Sequence, residues 1–217
     1  MNISSIIQNA YELPTNFHSL ECGANCIEYV ETLDWVVGGF GWLMEPIPNI
    51  AIDIKNNLTQ NIISSALSNF NGKTTFSVET ITGLSHIVDQ ESKGDSIIEV
   101  ECITYNKLQD DLGVYFDVLV LDIEGNEEQV LDHWLTLPRK YLPKIMCIEC
   151  GYDWEKRKKL LSKLGYELNF YFFNNAYLKM KDCGIKLKQD IINNYNEQWP
   201  KWNFNGQTIY VNELYKA

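Results

Sequence analysis

The chain has no apolar stretch near the roughly 20 residues that span a bilayer. Its opening segment, Met1 to Tyr11, carries no basic residue ahead of a short apolar patch. These absences argue against a membrane span and a signal peptide, so a cytoplasmic protein with no membrane partner is expected. Positive charge is also scarce. Lysine and arginine total 18 against 29 acids, a net charge of −11. Nucleic acid demands a basic surface that displaces counterions, and no such partner is expected. The local basic run Lys156 to Lys163 reads as the solvated face of a helix.

Several chemical sets are missing. The three histidines, His18, His86 and His133, have no recognisable partners, and no Ser-His-Asp or Cys-His arrangement is visible. Six cysteines lie at 22, 26, 102, 147, 150 and 183. Cys147 and Cys150 have metal-ligand spacing, but at a strand end their thiols point to opposite faces. No second CxxC or histidine pair completes a zinc set, which leaves buried free thiols. Repeats, low-complexity tracts and a linker are absent too. A length of 217 residues then suits one domain over residues 1–180, with an aromatic-rich extension, residues 181–217, packed upon it.

What the chain does have is a pair of apolar strands that end in acids. Phe116 to Leu121 stops at Asp122-Ile123-Glu124-Gly125, and Lys144 to Ile148 stops at Glu149. Uninterrupted apolar strands followed by helices indicate a parallel sheet buried on both faces. Ligands of such sheets sit outside the carboxyl ends of the strands. Asp122, Glu124 and Glu149 are therefore expected to meet at one rim.

The rest of the pattern is consistent with this. A short helix over Ser4 to Tyr11 precedes a strand, Phe17 to Glu21, and a helix from Asn25 to about Val36, stopped by Gly38-Gly39. A strand over Phe40 to Met44, a helix over Pro48 to Leu58 and a strand over Asn61 to Leu67 follow. Two alternating strands, Thr74 to Val78 and Ile97 to Ile103, flank a surface loop, Gly83 to Gly94. Further helices are expected from Tyr105, over Glu127 to Leu137 before Pro138, and over Trp154 to Leu164. The segments Glu167 to Phe173 and Ala176 to Met180, joined by Asn174-Asn175, read as an antiparallel hairpin.

The first strand–turn–helix holds Glu21, Gly23, Ala24 and Asn25. Glycine lets a ligand approach the backbone at a helix start. Glu45 ends the second strand, 22 residues beyond Gly23, where dinucleotide-binding sheets place an acid on the ribose. The full GxGxxG phosphate cradle is absent. A nucleoside without phosphates fits better, and S-adenosylmethionine, with its adenosine and sulfonium, is the candidate cofactor.

Five blocks in order carry a family resemblance: Glu21 to Asn25, Met44 to Pro48, Ala66 to Gly72, Val120 to Glu127, and Ile148-Glu149. Over residues 17 to 180 the chain resembles the FkbM-like S-adenosylmethionine-dependent methyltransferases. The resemblance implies a Rossmann-like class I methyltransferase, an α/β fold whose mixed seven-stranded sheet is parallel with a C-terminal antiparallel hairpin and flanked by helices. It implies that Glu21 and Gly23 hold the methionine end with Ala24 and Asn25 beside them. Glu45 would hold the ribose, Ala66 and Leu67 would line the adenine, and Asp122 would lie beside the methyl group. Family members usually carry a second glycine two residues after this asparagine, where Ile27 stands here.

The implied activity is methylation of a hydroxyl of a sugar, glycan or other small molecule. Asp122, Glu124 and Glu149 are candidates for the base, and the same cluster could hold Mg²⁺. Glu124 and Glu127 also suit the first turn of a helix, where acids stabilise by about 0.3–1 kcal/mol. Tyr152 and Asp153 could line an acceptor pocket, Asp153 serving equally as an N-cap. Trp199, Trp202 and Tyr210 could stack on a sugar or cover an edge. A homo-oligomer is compatible with this tail. The competing reading is a catalytically silent methyltransferase-fold protein used for binding or assembly, with Ile27 closing the pocket.

Overall fold

The computed structural model describes residues 3–25, 40–57, 61–79, 85–88, 96–150, 154–172, 175–190, 192, 201–204 and 207–210. The first half holds α1 (Ile3–Ala10), β1 (His18–Cys22), β2 (Phe40–Met44), α2 (Pro48–Asn57), β3 (Asn61–Ile63), β4 (Ala66–Ser68), β5 (Gly72–Val78) and β6 (His86–Ile87). The second half holds β7 (Ser96–Thr104), α3 (Tyr105–Leu112), β8 (Val118–Leu121), α4 (Glu127–Trp134), β9 (Ile145–Glu149) and α5 (Trp154–Lys163). It closes with β10 (Tyr166–Phe172), β11 (Asn175–Met180), β12 (Lys201–Phe204) and β13 (Gln207–Tyr210). The helix expected over Asn25 to Val36, with Cys26, Ile27 and Gly38-Gly39, lies outside the described residues. So do Tyr152, Asp153, Asn174, Trp199 and most of the Gly83 to Gly94 loop.

Seven strands form one sheet in the order β10-β11-β9-β8-β1-β2-β3. Neighbours among β9, β8, β1, β2 and β3 run parallel. Strand β11 is antiparallel to both β9 and β10, as the hairpin pattern implied. This is the mixed seven-stranded sheet with a C-terminal antiparallel hairpin that the resemblance implied. All four residues of β8 are buried, because both faces of a central parallel strand are covered. Alternation divides them between two cores. Leu119 and Leu121 join Met146, Ile148, Trp134 and Trp154 on one face. Val118 and Val120 join Ile145, Cys147, Ile54 and Ile7 on the other. Cys147 and Cys150 fall in opposite cores, as strand geometry requires, and the described cysteines are all free thiols.

Asp117 fixes the entry end of the central strands. Its carboxylate accepts the His18 N–H at 3.1 Å and pairs with Lys144 Nζ at 2.6 Å. Three starting edges are thereby aligned, and strands held level at one end finish level at the other.

Three expectations need correction. The surface loop expected over Gly83 to Gly94 contains β6, which pairs antiparallel with β5. The strand over Asn61 to Leu67 is two strands in two sheets. The main-sheet ladder ends at Ile63, whose carbonyl accepts the Glu45 N–H. Pro46, next along, has no N–H to continue that ladder. Ala66–Ser68 instead pairs with β7 in a four-stranded sheet ordered β4-β7-β5-β6. The helix expected to reach Leu137 ends at Trp134. Residues 135, 136 and 137 donate to the carbonyls three positions back, so the last turn tightens ahead of Pro138.

After β11 the chain returns to α1. Leu187 forms a bridge with Tyr11, and Ile185 and Ile192 enter the same core as Ile6 and Ile7. Strands β12 and β13 pair with each other. Among the described residues no helix is long and apolar enough to cross a membrane.

Candidate active site at the C-terminal rim

The sheet register builds the site. Cys22 is level with Met44 and with Leu121, and Leu121 is level with Ile148. The next residue on each strand is therefore Gly23, Glu45, Asp122 and Glu149, in one row at the rim. The atoms Asp122, Glu124 and Glu149 would offer a ligand all lie within 4.8 Å of one another. The three acids predicted to gather do so.

Gly23 holds the closest passage in this row. Its φ is +86° and a Cβ built there would lie 1.7 Å from the Asp122 carbonyl oxygen. Only glycine permits both the left-handed backbone and that approach. Its N–H and that of Ala24 donate to the Met44 carbonyl at 3.1 and 3.2 Å. Asn25, also left-handed at φ 57°, donates its N–H to Glu45 Oε2 at 2.8 Å. Glu45 Oε1 takes the Ile47 N–H at 2.8 Å. The buried Glu45 thus ties the glycine turn to the end of β2. Burial raises its carboxyl to about 7, although the two N–H donors pull the other way.

Burial also raises the Asp122 carboxyl, to about 8, with Glu149, Glu124 and Glu127 adding repulsion and Arg157 partly opposing it. Glu124, half-buried, is pushed to about 7 by burial first and by Glu149 and Glu127 next. Glu21 is 8% exposed and lies well above the usual carboxylate range because of burial and Asp122. Ala66 and Leu67 are buried in β4 of the second sheet. The Leu67 carbonyl accepts the Asn126 side-chain amide at 3.0 Å, which joins that sheet to the acid loop.

Three buried oxygens in this region, Glu21 Oε2, Asn25 Oδ1 and Asp122 Oδ1, have no hydrogen-bond partner. Unpaired buried acceptors are uncommon in folded proteins. Together they suit a ligand bearing positive charge and several donors, as the ammonium, sulfonium and ribose of S-adenosylmethionine would supply. The shallow groove lined by Asn49, Ile50, Ile52, Asp53 and Asn56 belongs to α2 and contains none of the rim acids.

Two members of the site escaped the sequence reading. Glu127, expected as a first-turn acid, is fully buried. Its oxygens accept the N–H groups of Ile123 and Gly125 at 2.9 and 3.1 Å. Arg157, expected on a solvated face, is 6% exposed and pairs with Glu127 at 3.0 Å. A signal was present: Trp154, Arg157, Leu160 and Leu161 occupy one helical face, and all four are buried. His133 instead meets Asn106 at 3.3 Å, away from the acids.

The sequence pattern of the methyltransferase FkbM domain matches residues 21–187. The chain belongs to that family. It is accordingly an S-adenosylmethionine-dependent methyltransferase, and the matched span runs from Glu21 through every residue of the acid rim. No curated protein matches this family member. Among solved structures, fibrillarin from Aeropyrum pernix, with S-adenosyl-L-methionine bound, is similar at TM-score 0.45 and 13% identity over 77% of this chain and 68% of that one. A precorrin-6y C5,15-methyltransferase from Geobacter metallireducens gives 0.42 and 11% over 75% and 78%. A TehB-like methyltransferase from Corynebacterium glutamicum gives 0.42 and 14% over 78% and 83%.

Proposed function

We propose that this FkbM-family protein is an O-methyltransferase acting on a hydroxyl of a sugar, glycan or other small molecule. The observation that carries the reading is the cluster of Asp122, Glu124 and Glu149 at the rim, two of whose carboxyls are raised to about 8 and about 7. When bound, S-adenosylmethionine supplies an electrophilic methyl group with a good leaving group. The protein's remaining tasks are alignment and removal of the hydroxyl proton. A base works best when its pKa lies near the working pH, and Asp122 and Glu124 meet that condition. An acceptor hydroxyl lodged among them would give its proton to one of these carboxylates. Amine acceptors have less need of such a base once they are neutral. The net charge of −11 favours a small or glycan acceptor over nucleic acid.

A second reading rests on the same cluster. Three carboxylates with close oxygens suit a hard cation such as Mg²⁺, which would acidify the hydroxyl in place of a base. Calorimetry with S-adenosylmethionine, followed by transfer of its labelled methyl group to a panel of sugars and glycans, tests the proposal. Heat of binding and an ether product support it, with turnover undiminished by EDTA. Loss with EDTA and recovery with Mg²⁺ would select the metal. Absence of heat and of any thermal shift at millimolar cofactor would favour a silent binding or assembly protein.

A further inference from the structure

The most deeply buried ion pair among the described residues, Glu127 with Arg157, stands directly behind the acid rim. Glu127 begins α4, and its carboxylate accepts backbone N–H groups from Ile123 and Gly125. Those residues flank Glu124, which is left-handed at φ 52°, and Gly125 follows at φ 99°. A turn with two consecutive left-handed residues, one of them a glutamate, persists only when its surroundings enforce it. The carboxylate of Glu127 supplies that enforcement from inside the loop.

Arg157 on α5 links this loop to the neighbouring strand. Its Nη2 meets Glu127 at 3.0 Å and its Nη1 donates to the Glu149 carbonyl at 3.1 Å. One guanidinium therefore holds the loop after β8 and the last residue of β9 together. Its planar fork can serve two acceptors at fixed geometry, which a lysine ammonium cannot reproduce.

We propose that Glu127 and Arg157 are positioning residues whose buried pair sets the mutual spacing of Asp122, Glu124 and Glu149. Neither side chain needs to touch substrate. The inference rests on the methyl-transfer reading of the rim, because spacing matters only if the acids act together. Buried ion pairs seldom improve stability over apolar replacements of similar volume. Their retention here is explained by the geometry they impose on the acids.

The double variant Glu127→Leu/Arg157→Met separates position from stability. Removing one partner alone strands a buried charge, whereas removing both does not. The double variant leaves no buried charge but takes the acceptor from two N–H groups, so it is expected to stay folded with a midpoint lowered by about 4–8 °C, and to bind S-adenosylmethionine within about threefold of wild type. Its kcat on the best acceptor of the panel should fall about 100-fold with little change in KM, the usual effect of roughly an ångström of misplacement. Amide exchange at Ile123 and Gly125 should quicken at least about tenfold, since both lose their acceptor. Arg157→Lys retains the charge but not the fork. It should show the same loss of kcat and faster exchange at smaller amplitude, and serves if the double variant does not fold. Undiminished kcat, or amides as protected as in wild type, in a folded variant would overturn the proposal. A wild-type protein without methyl transfer would instead remove the functional reading, and the exchange measurement would still decide the tether.

Discussion

Gly23 and Asp122 approach so closely that a methyl group on Gly23 would lie 1.7 Å from the Asp122 carbonyl oxygen. The glycine turn after β1 and the strand end that bears the central acid are thus in direct backbone contact. Asp122 returns the connection through its own N–H, which donates to Cys22 at 3.2 Å. Displacement of one would displace the other.

Gly23→Ala should therefore be costly. The left-handed φ alone penalises a side chain by about 1–2 kcal/mol, and the clash is with backbone that cannot rotate away. The expected loss is on the order of 3 kcal/mol, a fall of about 6–12 °C for a domain of this size. Thermal unfolding measures it. A variant with wild-type stability would mean that the β1 and β8 ends lie further apart than described.

Stability of the cofactor-free protein should fall as pH rises from 5 to 8. Asp122 and Glu45 are raised to about 8 and about 7 in the folded state, against ordinary values near 4. For an acid raised on folding, the folded form binds the extra proton, so its stabilisation is complete below about pH 4 and lost as pH passes the folded value. Asp122→Asn should flatten the upper part of that decline and make the protein more stable than wild type at pH 8. The same variant should lose about 100-fold or more in turnover if Asp122 takes the proton. Unfolding midpoints across pH and initial rates check both halves. An unchanged rate would remove Asp122 from its assigned role.

Much of this site was legible because parallel strands announce themselves. Val118 to Leu121 and Ile145 to Ile148 are continuous apolar runs, and a run that stops at an acid locates a rim without further information. The hairpin of β10 and β11 was legible from two apolar runs meeting at asparagines, although Asn175, expected in the turn, opens β11 opposite Phe172. The split of Asn61 to Leu67 between two sheets was not, because local propensity sees two strands as one run; the pairing of Ala66 with Cys102 spans a sequence distance no local pattern records. Glu127 and Arg157 were misread for a related reason. Charged residues default to solvent, and only their mutual pairing reverses that default.

Glu45→Ala should damage both fold and cofactor binding. The half-buried N–H groups of Asn25 and Ile47 would lose their acceptor at 2.8 Å each, at a cost of roughly 2 kcal/mol together. The unfolding midpoint should drop about 4–8 °C. If Glu45 holds the ribose, affinity for S-adenosylmethionine should weaken by more than about 1 kcal/mol, since that partner is lost and Asn25 is released. Calorimetry gives the affinity directly. A midpoint that falls while the dissociation constant stays fixed would assign Glu45 to loop anchoring and remove the ribose role.

Cofactor binding should expel protons near neutral pH. Glu21 and Asp122 each hold a buried oxygen without a partner, and both carboxyls are raised, by burial first and then by neighbouring carboxylates. A sulfonium and an ammonium placed against these oxygens stabilise the ionised forms. Protons held in the free protein then leave on binding, and by linkage the affinity must rise with pH. The window is pH 6 to 7.5, below the usual titration of the ligand's own amino group. Binding heats measured in phosphate and in imidazole buffer should differ by the difference between the two buffers' ionisation enthalpies, multiplied by the number of protons released. The dissociation constant should fall as pH rises, by at most tenfold per unit for each proton. Asp122→Asn should reduce the proton count. Heats independent of buffer would mean that the cation does not meet these carboxyls, and would place the cofactor elsewhere on the rim.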